Sequence, residues 1–178
     1  MPDTTILSKE TVFTSKYFKI VRLELERNGK QYSKEVIERN PVVIIIPYTF
    51  ENEIYIESQY RVALNRTVQE LVAGNIEDDD NPLEAAKREL REETGLTAGS
   101  WKKLYEWDLS GNLHSKIHLF AATNLEEGEQ QLDPDEEITV MKIPFEDVFK
   151  KIENGEMTNA PHIAALLLFD RLRKEGKV

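Results

Sequence analysis

The chain has 178 residues, 40% of them hydrophobic, enough for one well-buried domain and short for two. Its formal net charge of -10, with no basic stretch, argues against nucleic acid or an anionic membrane as partner, so an anionic substrate would need metal ions beside it. The absence of cysteine excludes disulfides, thiolate metal sites and cysteine nucleophiles, and agrees with a cytoplasmic setting.

The opening MPDTTILSKE lacks the basic and apolar regions of a signal peptide, and the longest apolar run, Ile163 to Phe169, is far below the ~20 residues of a membrane span. A cytoplasmic protein is expected. Tyr17 to Arg27 and Gln31 to Arg39 read as two strands joined at Asn28-Gly29, a dipeptide suited to a type I′ hairpin turn. Residues 1–40 are therefore taken as an antiparallel arm and 41–178 as the main domain. After Pro41, the β-branched run Val42 to Ile46 predicts a buried central strand, and Ile54 to Tyr60 the next. Thr67 to Val72 leads into a glycine loop and a helix, followed by strands at Lys102 to Leu109, Lys116 to Ala122 and Ile138 to Ile143. Phe145 to Asn154 and Asn159 to Lys174 read as closing helices, so the pattern is mixed α/β.

The helix after the glycine loop is the most informative element. Asn81 can cap it, Pro82 suits the first helical position and Gly95 the left-handed stop, which predicts a helix from Pro82 to Thr94. Leu83, Ala86 and Leu90 fall on one stripe, while Glu89, Glu92 and Glu93 stand three and four residues apart beside it. Like charges at this spacing cost roughly 0.2–0.5 kcal/mol per pair, near a helix end already negative by its dipole. A hard cation such as Mg2+ would turn that repulsion into coordination. The alternative is a solvated face, with Arg88 bridging Glu84 and Glu92.

The spacing of Gly74, Asp80, Arg88-Glu89-Leu90, Glu92-Glu93 and Gly95-Leu96 resembles the Nudix box, with Asp80 in place of that pattern's first glutamate. Gln59-Tyr60-Arg61 and Glu70-Leu71-Val72-Ala73-Gly74 are similar to segments of the family's ADP-ribose pyrophosphatase branch, although Val72 stands where that branch usually has proline. The resemblance implies an α/β/α sandwich with a mixed sheet, and Mg2+-dependent hydrolysis of the diphosphate in a nucleoside diphosphate derivative, with Mn2+ as a substitute ion. ADP-ribose is the first expected substrate, and GDP-mannose or an ADP- or UDP-sugar the alternative. A module that binds nucleotide without cleaving it is the alternative class.

By the same resemblance, Glu89, Glu92, Glu93 and the Ala73 carbonyl would hold metal, Arg88 would orient the glutamates, and Gly74 would let the backbone approach the ion. Aligning Ile138-Thr139-Val140 with the family's strand puts the catalytic base or a further ligand at Glu136, with Glu137 second. The branch's loop proline falls on Gly111, so the loop is present without its marker. A homodimer is expected, with Arg39 of one chain and Arg61 and Glu70 of the other framing the nucleotide. His114, His118 and His162 are scattered and form no triad with a serine and an acid.

Overall fold

A computed structural model describes residues 4–77, 80–134 and 136–178. The chain divides into two compact units, one of residues up to Pro41 together with Trp107–Ile117, the other of Val42–Glu106 with His118–Val178.

In the first unit, β1 (Thr4–Thr14), β2 (Phe18–Arg27) and β3 (Lys30–Arg39) form an antiparallel meander in the order of the chain. The turn between β2 and β3 is the expected one. Asn28 and Gly29 both have positive φ, 53° and 71°, and Arg27 pairs with Lys30, as a two-residue primed turn requires. Val21 and Leu25 are buried, whereas every residue of β1 is exposed. Strand β1 carries two bulges, at Ile6/Ser8 and Thr11/Phe13, and its side chains have no core-facing alternation. Its existence was not anticipated from the sequence.

The second unit is built from β4 (Val42–Pro47), β5 (Glu53–Arg61), β6 (Arg66–Glu70), β7 (Val72–Asn75), α1 (Pro82–Thr94), β8 (Thr97–Leu109), β9 (Leu113–Glu126), β10 (Ile138–Pro144), α2 (Asp147–Glu153) and α3 (Ala160–Lys174). Strands β8 and β9 also enter the first unit, where Ile37 and Glu38 of β3 run parallel to Leu113 and His114. Strand β4 lies between β7, to which it is antiparallel, and β9, while β5 lies between β10 and β6 in a separate antiparallel sheet.

Strand β4 is covered on both faces, as its β-branched run predicts. Val43 and Ile45 pack with Ala85, Ala86 and Leu90 of α1. Ile44 and Ile46 are equally buried, and α3 packs against the same strand. A Leu90→Ala change would cost about 2–5 kcal/mol, because that side chain is fully enclosed. The predicted strand Thr67 to Val72 is in fact two, β6 and β7, interrupted at Leu71, whose amide leaves the ladder for His162. This break sets the entry of β7 toward α1.

Candidate active site

Helix α1 begins and ends on local chemistry. Asn81 Oδ1 accepts from the amides of Leu83 and Glu84, each at 3.0 Å, and the Gly95 amide returns to Arg91 O at 2.9 Å with φ of 73°. The neighbouring segment completes the last turn. Gln131 N donates to Glu92 O at 2.9 Å, and Gln130 Nε2 donates to Glu93 O at 2.6 Å. The helix register that buries Leu90 also turns Glu89 and Glu93 inward, leaving 9% and 6% of their surfaces exposed. The three glutamates are thus unequal, because the Glu92 side chain is 40% exposed.

Strand β7 lies against these inward carboxylates. Glu93 accepts from the Ala73 amide at 3.2 Å, and the Glu89 carboxyl fills the space a side chain at Gly74 would need. Arg88 fixes the arrangement. Its Nη1 donates to Glu89 at 2.9 Å and Glu92 at 3.2 Å, its Nη2 to Asn75 O at 3.1 Å, and Asp80 stands 3.5 Å from its Nε. Glu84 pairs with Lys87 instead, so the alternative of Arg88 bridging Glu84 and Glu92 is replaced by a clamp on Glu89 and Glu92.

A further carboxylate, Glu57 of β5, went unnoticed in the sequence. It is 3% exposed, beside Glu70 in the β5–β6 ladder, and it contacts Glu93. A glutamate directly following the apolar Ile54-Tyr55-Ile56 was the available signal. Glu136 sits in a turn closed by its amide to Asp133 O at 2.9 Å, and its charge acts on Glu57, Glu89 and Glu93. Glu137 is exposed and is not among the leading influences on those three.

Burial is the first cause of the abnormal acidity here. It pushes Glu89 up to about 7 against the pull of Arg88, with repulsion from Glu92 and Glu136 adding to it. Glu93 is raised well above the ordinary carboxylate range by burial and then by Glu57, Glu89 and Glu136. Burial likewise raises Glu57. Glu70 behaves in the opposite way: against burial, the neighbouring His162, then Asn159 Nδ2 at 3.0 Å, then Arg61 through Nε at 2.8 Å and a second nitrogen hold it below that range. His162 is neutral, since burial brings it down to about 4 and its Nδ1 accepts from Leu71 N at 3.0 Å.

Of the remaining expected residues, Arg39 closes β3 and Gly111, with φ of 95°, lies between β8 and β9, both in the first unit. The glycine, arginine and glutamate spacing therefore folds as a strand and helix that oppose buried carboxylates. Residues 38–166 match the NUDIX domain.

The chain belongs to the NUDIX family. An ADP-ribose pyrophosphatase of Bacillus subtilis is 34% identical over 86% of this chain and 85% of its own length. A GDP-mannose pyrophosphatase of Salmonella paratyphi B is 26% identical over 93% of this chain and 95% of its own. A solved ADP compounds hydrolase superposes with a TM-score of 0.84 at 26% identity, covering 98% of this chain and 97% of that one. The NUDIX α/β/α fold with its mixed sheet is thereby shown.

The NUDIX family implies a divalent metal, and the donor set suits one. All the available donors are oxygens, burial makes their charges costly, and one oxygen of Glu57 has no hydrogen-bond partner among the described residues. No three acid or imidazole side chains among the described residues converge to enclose an ion unaided. Mg2+ takes one or two carboxylates and completes its shell with water and substrate phosphate.

Proposed function

We propose that this NUDIX chain hydrolyses the diphosphate bond of a nucleoside diphosphate derivative, ADP-ribose first, giving AMP and ribose 5-phosphate. The observation that carries the reading is the burial of Glu89 and Glu93 against Gly74 and Ala73, in a pocket that disfavours their charges. The relatives named for ADP-ribose and GDP-mannose support the substrate class.

In this reading Glu89, Glu92, Glu93 and the Ala73 carbonyl would hold Mg2+ or Mn2+ ions between them, one or two carboxylates to each ion. The cation supplies neutralisation of the diphosphate and acidification of water. Arg88 touches no substrate and keeps the carboxylates in register, consistent with its bonds to Glu89, Glu92 and Asn75 O. Glu136 takes a proton from the attacking water, with Glu137 as its reserve. Arg61, fixed by Glu70, binds the nucleotide, while Gly74 keeps the approach to the phosphates open.

The proposal includes a cytoplasmic homodimer whose arm is residues 1–40. Its support is the exposed apolar surface of that arm, with Ile6, Phe13, Tyr17 and Ile37 between 38% and 60% accessible. None of the described helices is long and apolar enough to cross a membrane.

Purified protein with Mg2+ should release AMP and ribose 5-phosphate from ADP-ribose, and chelator should stop it. GDP-mannose cleaved in preference would select the second substrate, which the Salmonella relative favours. A panel of nucleotide sugars left intact with either metal would replace hydrolysis by nucleotide binding alone.

A further inference from the structure

We infer that Glu57 is an additional metal-ligating carboxylate of this centre, presented from β5 opposite Glu93 and independent of the helix that carries the other glutamates. The inference deepens the hydrolase reading and rests on its metal site.

Position comes first. Glu57 pairs with Val140 of β10 and Glu70 of β6, which fixes it in the middle strand of the three-stranded sheet. Its backbone is therefore anchored on both sides. Only 3% of the residue is exposed. Among the acids around Glu93, Glu57 exerts the strongest repulsion, ahead of Glu89 and Glu136. Two carboxylates from different elements thus face each other in a place closed to bulk water.

Hydrogen bonding comes second. Oε1 of Glu57 is completely buried and has no partner among the described residues. Arg61 pulls on Glu57 electrostatically, but its Nε and Nη2 both bond Glu70 Oε2. Glu70 is in turn satisfied by Asn159. A buried acceptor is ordinarily paired, so an open lone pair aimed among other carboxylates calls for a donor or a cation. The side chain within reach is Glu93 itself, which meets Glu57 through a shared proton, and a hard divalent cation in the place of that proton would satisfy both carboxylates together.

The described carboxylates group in pairs. Glu57 and Glu93 form one such pair on the sheet side of α1, while Glu89 and Glu92 share the Arg88 clamp. The ligand set of this chain then spans two elements, and a cation in it would tie the β10–β5–β6 sheet to the helix.

The test compares wild-type protein with Glu57→Gln, without nucleotide, using Mn2+ titration and Tb3+ luminescence lifetimes in H2O and D2O. Glutamine keeps the size of the side chain and removes the charge. Circular dichroism in EDTA verifies that the variant is folded. The expected result is an Mn2+ affinity weaker by more than about tenfold, with about one more water on the bound Tb3+. Unchanged affinity overturns the inference. Weaker affinity with an unchanged water count also overturns it, since Glu57 would then act only by positioning Glu93. If Glu57→Gln does not fold, Glu57→Asp, which keeps charge but shortens reach, is decided by the same two readouts. Substrate is absent throughout, so failure here leaves nucleotide hydrolysis standing, and failure to hydrolyse leaves this ligand standing.

Discussion

Gly74 and the Glu89 carboxyl occupy one another's space: a Cβ built on Gly74 would stand 1.9 Å from Glu89 Cδ. Gly74 does not have positive φ, so its role is room and not backbone freedom. Gly74→Ala should therefore drive Glu89 away from β7 and weaken Arg88's hold on it. The expected outcome is a fall in turnover of about 100-fold or more, since small misplacement of a positioned group carries that cost. Glu93 still reaches the Ala73 amide in this variant, so the fold should survive. Kinetics with ADP-ribose and a thermal melt check the two halves separately.

Glu136 and Glu137 are distinguished by reach. Glu136 is among the leading charges acting on three buried glutamates, and Glu137 is not. Glu136→Gln should lower turnover by about 10²–10⁴-fold, and Glu137→Gln by much less. Steady-state rates for both variants, at saturating Mg2+, test the ranking. Near-normal turnover in the Glu136 variant would remove its role as base.

The buried carboxylates should make metal-free protein less stable in mild alkali. In the folded chain Glu89 titrates at about 7 and Glu57 and Glu93 are also raised, whereas the unfolded chain loses these protons near ~4.3. Their contribution is complete below the unfolded value and disappears as pH rises through the folded ones. His162 has the opposite sign, because it is about 4 when folded and ~6.5 when free, so its contribution is complete above pH ~6.5 and is lost toward acid. Glu70, held low, is also lost toward acid. In EDTA the thermal midpoint should be highest near pH ~4–5 and decline toward pH ~8, because three carboxylates lose stability over that range against one imidazole that gains it. Mg2+ should raise the midpoint more at pH ~8 than at pH ~6, because fewer protons must be displaced. Calorimetry across that range, with and without the ion, measures both effects.

His162 replaces a strand partner for Leu71. Substituting it with phenylalanine keeps an aromatic ring and removes the acceptor, leaving the Leu71 amide buried without a bond. The expected cost is about 1–3 kcal/mol. Chemical denaturation at pH 7.5 checks it, and the acid-side loss of stability should shrink in the same variant.

What the sequence made legible follows the range of the interactions. Helix α1 was readable to the residue because Asn81 bonds amides two and three positions away and Gly95 closes onto Arg91. The type I′ turn at Asn28-Gly29 was readable for the same reason. Strand β1 was hidden because none of its side chains is buried, and what holds it to β2 is the backbone ladder with a ring contact of Phe13 and Phe18. The break at Leu71 depends on His162, a contact 91 residues away in the chain. Glu57 was concealed by the ordinary assumption that a strand glutamate faces water. The box residues announced themselves by spacing, whereas the acid facing them from β5 required tertiary structure.

The two bonds from Gln130 and Gln131 to the end of α1 bear on motion. A Cβ on Gly95 would lie 2.5 Å from Gly128 O, so the backbones pack directly at the root of the same segment. The stretch leading to Glu136 is consequently moored at 128–131 to the turn that carries Glu92 and Glu93. Any swing of Glu136 toward a substrate must take place between that mooring and Ile138, where β10 begins. The mooring therefore limits how far the Glu136 carboxylate can stand from the end of α1.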